Sequence, residues 1–238
     1  MNLPTALLAW LRGAPRLDPA QQAALNAWRQ RPAPSLRTPM EAVRWVVMDV
    51  ESSGLDVWRD RLISIGAVAV HGEVLQFSDS LEVVLRQAEV SETANILVHG
   101  IGGTAQRSGL PPARALLDFL AFAGRDPLVA FHAAFDTVMI GRALRTHLGL
   151  RWRPLAIDLA DLLPALFPQA GCRDLDGWAS RFGIRHDARH QALSDAYATA
   201  QLLQVALSAA RAQGYLTLGA INALQRQQRA LQRLGAPG

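Results

Sequence analysis

Apolar residues change their period along the chain, and the change divides it. Over residues 5–30 they recur at helical spacing in two short segments, separated by Gly13-Ala14-Pro15. Asp18-Pro19 reads as the start of the second segment, and Ala24, Leu25 and Trp28 form a face that predicts docking against a larger body. Pro32, Pro34 and Pro39 then make a stiff connector, which puts the domain boundary near Glu41. From Arg44 the pattern becomes that of strands, over residues 45–50, 62–70 and 74–84, with His71-Gly72-Glu73 as a hairpin turn. Short connections predict an antiparallel meander. The period then lengthens. A helix over 113–123, a short buried strand over 128–131 and a helix over 135–147 precede a further short strand over 155–157. Helices over 159–166, 175–182 and 195–212 follow. Three strands and then alternating helix and strand predict a mixed sheet flanked by helices, an α/β fold. The expected division is a helical extension with its connector (1–41), a main domain (42–212) and a basic tail (213–238). In that tail Leu216, Leu218, Ile221 and Leu224 precede an Arg/Gln run and predict a solvated, partly frayed helix.

Composition narrows the function classes. A hydrophobic share of 50% in 238 residues suits one ordinary globular domain with appendages. The apolar runs are too short and too interrupted to span a membrane. Met1-Asn2-Leu3-Pro4 lacks the basic start of a secretory signal, so a cytoplasmic chain without membrane partners is expected. Cys172 stands alone and can form neither an internal disulfide nor a Cys-rich zinc site. The 24 basic residues are all arginine and leave a net charge of +4. Arginine presents a planar fork to phosphate, so the charge is compatible with a nucleic-acid partner, and Arg226, Arg229 and Arg233 are candidates to touch its backbone. Coding composition alone would also remove lysine.

The chemistry gathers in three places. Met48-Asp49-Val50-Glu51-Ser52-Ser53-Gly54-Leu55 closes the first strand. Residues two apart on a strand point the same way, so Asp49 and Glu51 face a common spot while Val50 turns into the core. Two carboxylates held that close repel unless a cation separates them, and oxygen ligands suit Mg²⁺ or Mn²⁺ better than zinc. Ser-Ser-Gly also reads as the polar turn that ends any strand. Phe131-His132-Ala133-Ala134-Phe135-Asp136 runs from a strand into a helix, with Asp136 in the first turn, where a carboxylate also favours the helix N-terminus. His190-Gln191-Ala192-Leu193-Ser194-Asp195 opens the long helix. Five helical positions rotate by roughly 140°, so His190 fits the preceding loop better than a shared helical face with Asp195. His186 reads as solvated surface.

Together these motifs resemble the DEDDh 3′–5′ exonucleases, a DnaQ-like group that includes a proofreading subunit of bacterial DNA polymerase III, RNase T and oligoribonuclease. The likeness covers residues 44–212. It implies a ribonuclease-H-like mixed sheet, in which an antiparallel three-strand meander is joined by parallel strands. It also implies two divalent cations, Mg²⁺ or Mn²⁺, on Asp49, Glu51, Asp136 and Asp195, with His190 as general base. Such chemistry suits phosphodiester hydrolysis, and an imidazole titrating near pH 6.5 can take a proton from the attacking water. For the substrate, the resemblance points to Ser52, Gly54, Leu55, His99, Ile101 and Phe135; His99 reads equally as an ordinary loop histidine and Phe135 as core. Asp158 is expected to cap the helix after it. Ser52-Ser53, Ala133 and Gly102 depart from common family residues, and none of these removes a carboxylate or the base.

The expected activity is release of nucleoside 5′-monophosphates from single-stranded 3′ ends, DNA before RNA. The enzyme is expected to be free-standing before being a proofreading partner of a DNA polymerase. Trimming of RNA or short oligonucleotides is the enzymatic alternative. A non-catalytic nucleic-acid-binding or polymerase-docking module is the alternative of another class. A zinc hydrolase on His99, His132 and His190 has no compact ligand spacing behind it. Oligomeric state has no signature in the chain.

Overall fold

Strand alternation becomes the spine of the molecule. In the computed structural model, which describes residues 15–185 and 190–235, β1 (Arg44–Ser52), β2 (Leu62–His71) and β3 (Val74–Val84) form the antiparallel meander. A two-residue turn joins β2 to β3, and Gly72 takes the positive φ of 61° that it needs. The short strands β4 (Leu128–Ala130) and β5 (Ala156–Asp158) pair in parallel beyond β1, giving the order β3-β2-β1-β4-β5.

Helices cover both faces. Before the sheet comes α1 (Pro19–Arg29). Between β3 and β4 lie α2 (Thr93–His99), α3 (Gly103–Ser108) and α4 (Pro112–Ala123), and α5 (Ala133–Leu148) links β4 to β5. After β5 come α6 (Leu159–Leu166), α7 (Leu175–Arg181), α8 (Ala192–Ala212) and α9 (Leu218–Gly235). The strand β1 is buried on both sides, which is why it reads as a nearly continuous apolar run. Val46, Met48 and Val50 join the core with α1, α4 and α5, while Trp45 and Val47 join the core with α6 to α9. Among the described residues no helix is long and apolar enough to cross a membrane.

Most elements lie where the hydrophobic pattern predicts them, and the differences have local reasons. Helices α2 and α3 have only 7 and 6 residues, too few to establish a period. The first predicted helical segment and His186 lie outside the described residues. In α1, the Asp18 carboxylate accepts from the Gln21 N–H at 2.8 Å, and the Gln21 side chain accepts from the Asp18 N–H at 3.1 Å. Leu25 and Trp28 dock as expected, whereas Ala24 is exposed; the Trp28 indole donates to the Gly124 carbonyl at 2.6 Å.

The C-terminal tail corrects the expectation of a solvated helix. Leu218, Ile221 and Leu224 of α9 are buried in the same core as α8. Gln225 donates to the Ala156 carbonyl at 2.9 Å and accepts from the Asp158 N–H at 2.7 Å. Strand β5 is the sheet's last, and an edge strand leaves backbone groups without partners; Gln225 supplies them.

One glycine sets the depth of α8. Gly66 pairs with Asp49 across β1 and β2, and a Cβ there would fall 2.2 Å from the backbone of Ala192 and Leu193. The first turn of α8 therefore rests directly on the strand, as an interior strand glycine allows. Replacing Gly66→Ala is expected to cost about 3 kcal/mol through overpacking. Urea unfolding measures this, and a loss within error of zero would show that α8 does not depend on the contact.

Candidate active site

The site forms where β1 runs out of hydrophobic neighbours. The face that carries Trp45 and Val47 inside the core carries Asp49 and Glu51 one and two steps further on, at the C-terminal end of the central strand. An irregularity in the β1–β2 pairing after Glu51 then turns the chain away. Helix α8, seated on Gly66, brings Asp195 over the same face. Asp49, Glu51 and Asp195 each offer an oxygen within 4.8 Å of the others. Asp136 comes from the first turn of α5, on the opposite side of the sheet, and its carboxylate accepts a hydrogen bond from the Val50 N–H between the two β1 acids. Both helices thus present their N-terminal ends to the acidic cluster, the end that favours negative charge.

Burial makes the cluster electrostatically costly. Asp136 is 3% exposed, Asp195 6% and Glu51 9%. Loss of solvent pushes the Asp49 carboxyl well above the ordinary range, and the charges of Asp136, Asp195 and Glu51 push it further. Burial and then Asp195 and Asp136 raise Glu51 to about 8. Asp136 is raised to about 7, chiefly by burial and also by Asp158, although backbone hydrogen bonds oppose the shift. Like charges that raise one another in this way have the chemistry of a cation site, and a purely carboxylate donor set suits a hard divalent ion.

Two histidines precede the two helices, each in the left-handed region. His132 has φ 67° before α5, and His190 has φ 61° before α8. The His190 N–H donates to the Asp195 carboxylate at 3.2 Å, and the His190 side chain is exposed. Its place on the loop agrees with the helical-wheel argument. The His132 N–H donates to Asp158 at 2.9 Å, and Asp158 also caps α6 by accepting from the Ala160 N–H at 3.0 Å, as expected. Arg229 bridges Asp161 at 2.6 Å and Asp158 at 3.6 Å. Arg229 is thus tied into the fold rather than held out toward a nucleic-acid backbone.

The other singled-out residues divide. Leu55 is 89% exposed, and Ile101 and Phe135 are half-buried. Ser52 donates its hydroxyl to the Gly54 carbonyl, which closes the turn after the strand. Close approach at Gly54 is real, but the group that fills the space is Asp60, whose carboxylate would lie 2.5 Å from a Cβ there. His99 is an internal strut: the residue is 2% exposed, and its ring accepts from the Ile101 N–H at 3.0 Å and lies 3.3 Å from the Ser91 hydroxyl. Sequence reasoning missed Gly66, Asp60 and Asn95, which donates to the Ser53 carbonyl. Only Gly66 carried a signal, as a glycine inside a strand.

With this geometry in view, the comparisons with known proteins agree. The RNase T family model, described as an exonuclease, matches residues 46–203, and the chain belongs to that exonuclease family. It is a DnaQ-like exonuclease, a nuclease enzyme, on a ribonuclease-H-like sheet. A DNA polymerase III subunit epsilon-like protein of Rhodobacter capsulatus is 29% identical over 187 residues, 77% of this chain and 26% of that protein. The PolC-type DNA polymerase III of Bacillus subtilis is 28% identical over 82% of this chain and 13% of its own length. The chain thus spans about a quarter or less of these relatives. Escherichia coli exonuclease I in complex with a dT13 oligonucleotide shares the fold with a TM-score of 0.62 at 18% identity, over 72% of this chain and 42% of that one. Exonuclease X in complex with 5′ overhanging duplex DNA gives 0.59 at 16% identity, over 76% and 99%.

The raised carboxyls predict a direction for stability. Glu51 and Asp136 hold a proton more tightly in the folded chain than in the unfolded one. Their contribution is therefore full below the ordinary carboxylate range and is lost as pH rises through about 7 to 8. Without divalent cations, thermal unfolding is expected at a lower temperature near pH 9 than near pH 6. The slope would be roughly 1.4 kcal/mol per pH unit for each extra proton held. Scanning calorimetry checks this; Asp136→Asn should flatten the dependence, and an equally steep one in the variant would contradict the assignment.

Proposed function

We propose that the protein is a 3′–5′ exonuclease that removes nucleoside 5′-monophosphates from single-stranded ends, with DNA as the preferred polymer. The observation that carries this reading is the convergence of Asp49, Glu51 and Asp195 within 4.8 Å, with Asp136 close enough to raise Asp49. Two divalent cations, Mg²⁺ or Mn²⁺, would be held by these four carboxylates. Bound there, they would acidify a water and neutralise charge on the scissile phosphate.

The chain's own groups do the rest. Asp49 and Glu51 sit on a strand and Asp136 and Asp195 on first helical turns, so all four are fixed before substrate arrives. His190 accepts the proton from the attacking water. Its backbone N–H is anchored on Asp195, and its ring is exposed. Leu55, held out from a turn that Ser52 and Asp60 brace, would wedge against the terminal base, and Ile101 and Phe135 are the further apolar groups assigned to meet the substrate. His99 supports the Ile101 backbone instead of meeting substrate. A DNA substrate is favoured by the polymers in complex with the structural neighbours and by the polymerase relatives. Those relatives make a DNA polymerase the second choice of context, after a free-standing enzyme. A docking module would gain nothing from four carboxylates kept at this electrostatic cost.

The test is a 5′-labelled single-stranded DNA, run beside RNA of the same sequence with Mg²⁺ or Mn²⁺. A ladder shortening from the 3′ end is expected on DNA, abolished by EDTA and by Asp195→Asn. His190→Ala should lower kcat by about 10² to 10⁴. Shortening from the 5′ end, faster cleavage of RNA, or activity that survives EDTA would each contradict the reading.

A further inference from the structure

On the side of the sheet covered by α5, two adjoining clefts share Arg151, Trp152 and Arg153. One, of about 290 Å³, follows α5 along Thr137, Val138, Gly141 and Arg145. These positions make one stripe of the helix, and the stripe begins next to Asp136. Nine residues of helix carry it about 14 Å from the acidic cluster. The second cleft, of about 450 Å³, continues past Trp28 and Arg125 at the far end of the sheet.

The lining is polarised. Six arginines face one acid, Asp126, and that acid is paired with Arg44 at 2.9 Å. Arg142 is engaged with the Val57 and Asp60 carbonyls, and Arg125 lies over the Trp28 ring at 4.9 Å. Arg145, Arg151 and Arg153 are exposed and have no ion pair among the described residues. Between the last two, Trp152 is half-buried. Its ring stands edge-on to Phe119 at 6.0 Å and lies 4.0 Å from where a Cβ on Gly141 would be, so the indole is held in place.

Guanidinium groups strung along an open cleft suit a polyanion better than a single anion, and a fixed indole between two of them suits stacked bases better than an acidic peptide. We propose that this groove carries the backbone of the substrate strand on the 5′ side of the reacting end, with Trp152 as a stacking face. The inference rests on the exonuclease reading above and adds that the enzyme senses nucleotides well beyond the scissile bond.

The experiment compares wild type with the double variant Arg151→Ala/Arg153→Ala on two substrates. One is a long single-stranded DNA; the other is the p-nitrophenyl ester of thymidine 5′-monophosphate, which reaches only the acidic cluster. The ratio of kcat/KM on DNA to kcat/KM on the ester should fall about tenfold in the double variant, as loss of two charged phosphate contacts implies. The log–log salt slope of DNA binding should shrink by about 1.4, two contacts at about 0.7 each. Equal ratios and equal slopes would overturn the groove. If wild type turned over neither substrate, the exonuclease reading would fall, and the binding slope would still decide the groove.

Discussion

Mutual repulsion among Asp49, Glu51, Asp136 and Asp195 is the constraint around which this molecule is arranged. Left to relax, four carboxylates would move apart or bind protons, and burial strengthens both tendencies. The fold denies them the first route. Two acids are fixed on a strand that is buried on both faces, and the others lie in the first turns of helices packed on opposite sides of the sheet. What remains is protonation or a cation, and a hard divalent ion is the partner that carboxylate oxygens suit.

Holding the acids requires local departures from regular structure. Gly66 removes a Cβ so that α8 can settle on β2, and the pairing irregularity after Glu51 ends the strand at the site. His132 and His190 adopt left-handed backbone one and two residues before the helices that present Asp136 and Asp195. Residues rarely occupy that region without cause, and such backbone gathers at functional sites. Asp158 ties His132 to α6, while Arg229 and Gln225 tie Asp158 to α9. The C-terminal helix therefore belongs to the scaffold behind the site.

Much of this was legible in the chain because it depends on period. Strands and long helices declare themselves through alternation and the 3.6-residue repeat, and two acids at i and i+2 share a face whatever surrounds them. Asp136 and Asp195 were legible as helix-start acids, and their union with Asp49 came through the family resemblance. Long-range packing was not legible. Nothing in the run after Arg211 distinguishes a solvated helix from one that buries Leu218, Ile221 and Leu224 and feeds the edge strand with Gln225. The fate of His99 was hidden for the same reason: its partners, Ser91 and Ile101, are set by two helices too short to show a period. The arginine groove joins residues from α1, α5 and the loop before β5, so no local pattern announces it.

On this reading the four carboxylates are held together at a cost that a divalent cation would relieve. Isothermal titration of the metal-free protein with Mn²⁺ near pH 7, repeated in buffers of different ionisation enthalpy, tests it most directly. Metal must displace the protons that raised carboxyls retain, so binding is expected to release protons in wild type and to weaken sharply in Asp49→Asn. Binding without proton release, or equal binding by Asp49→Asn, would contradict the account.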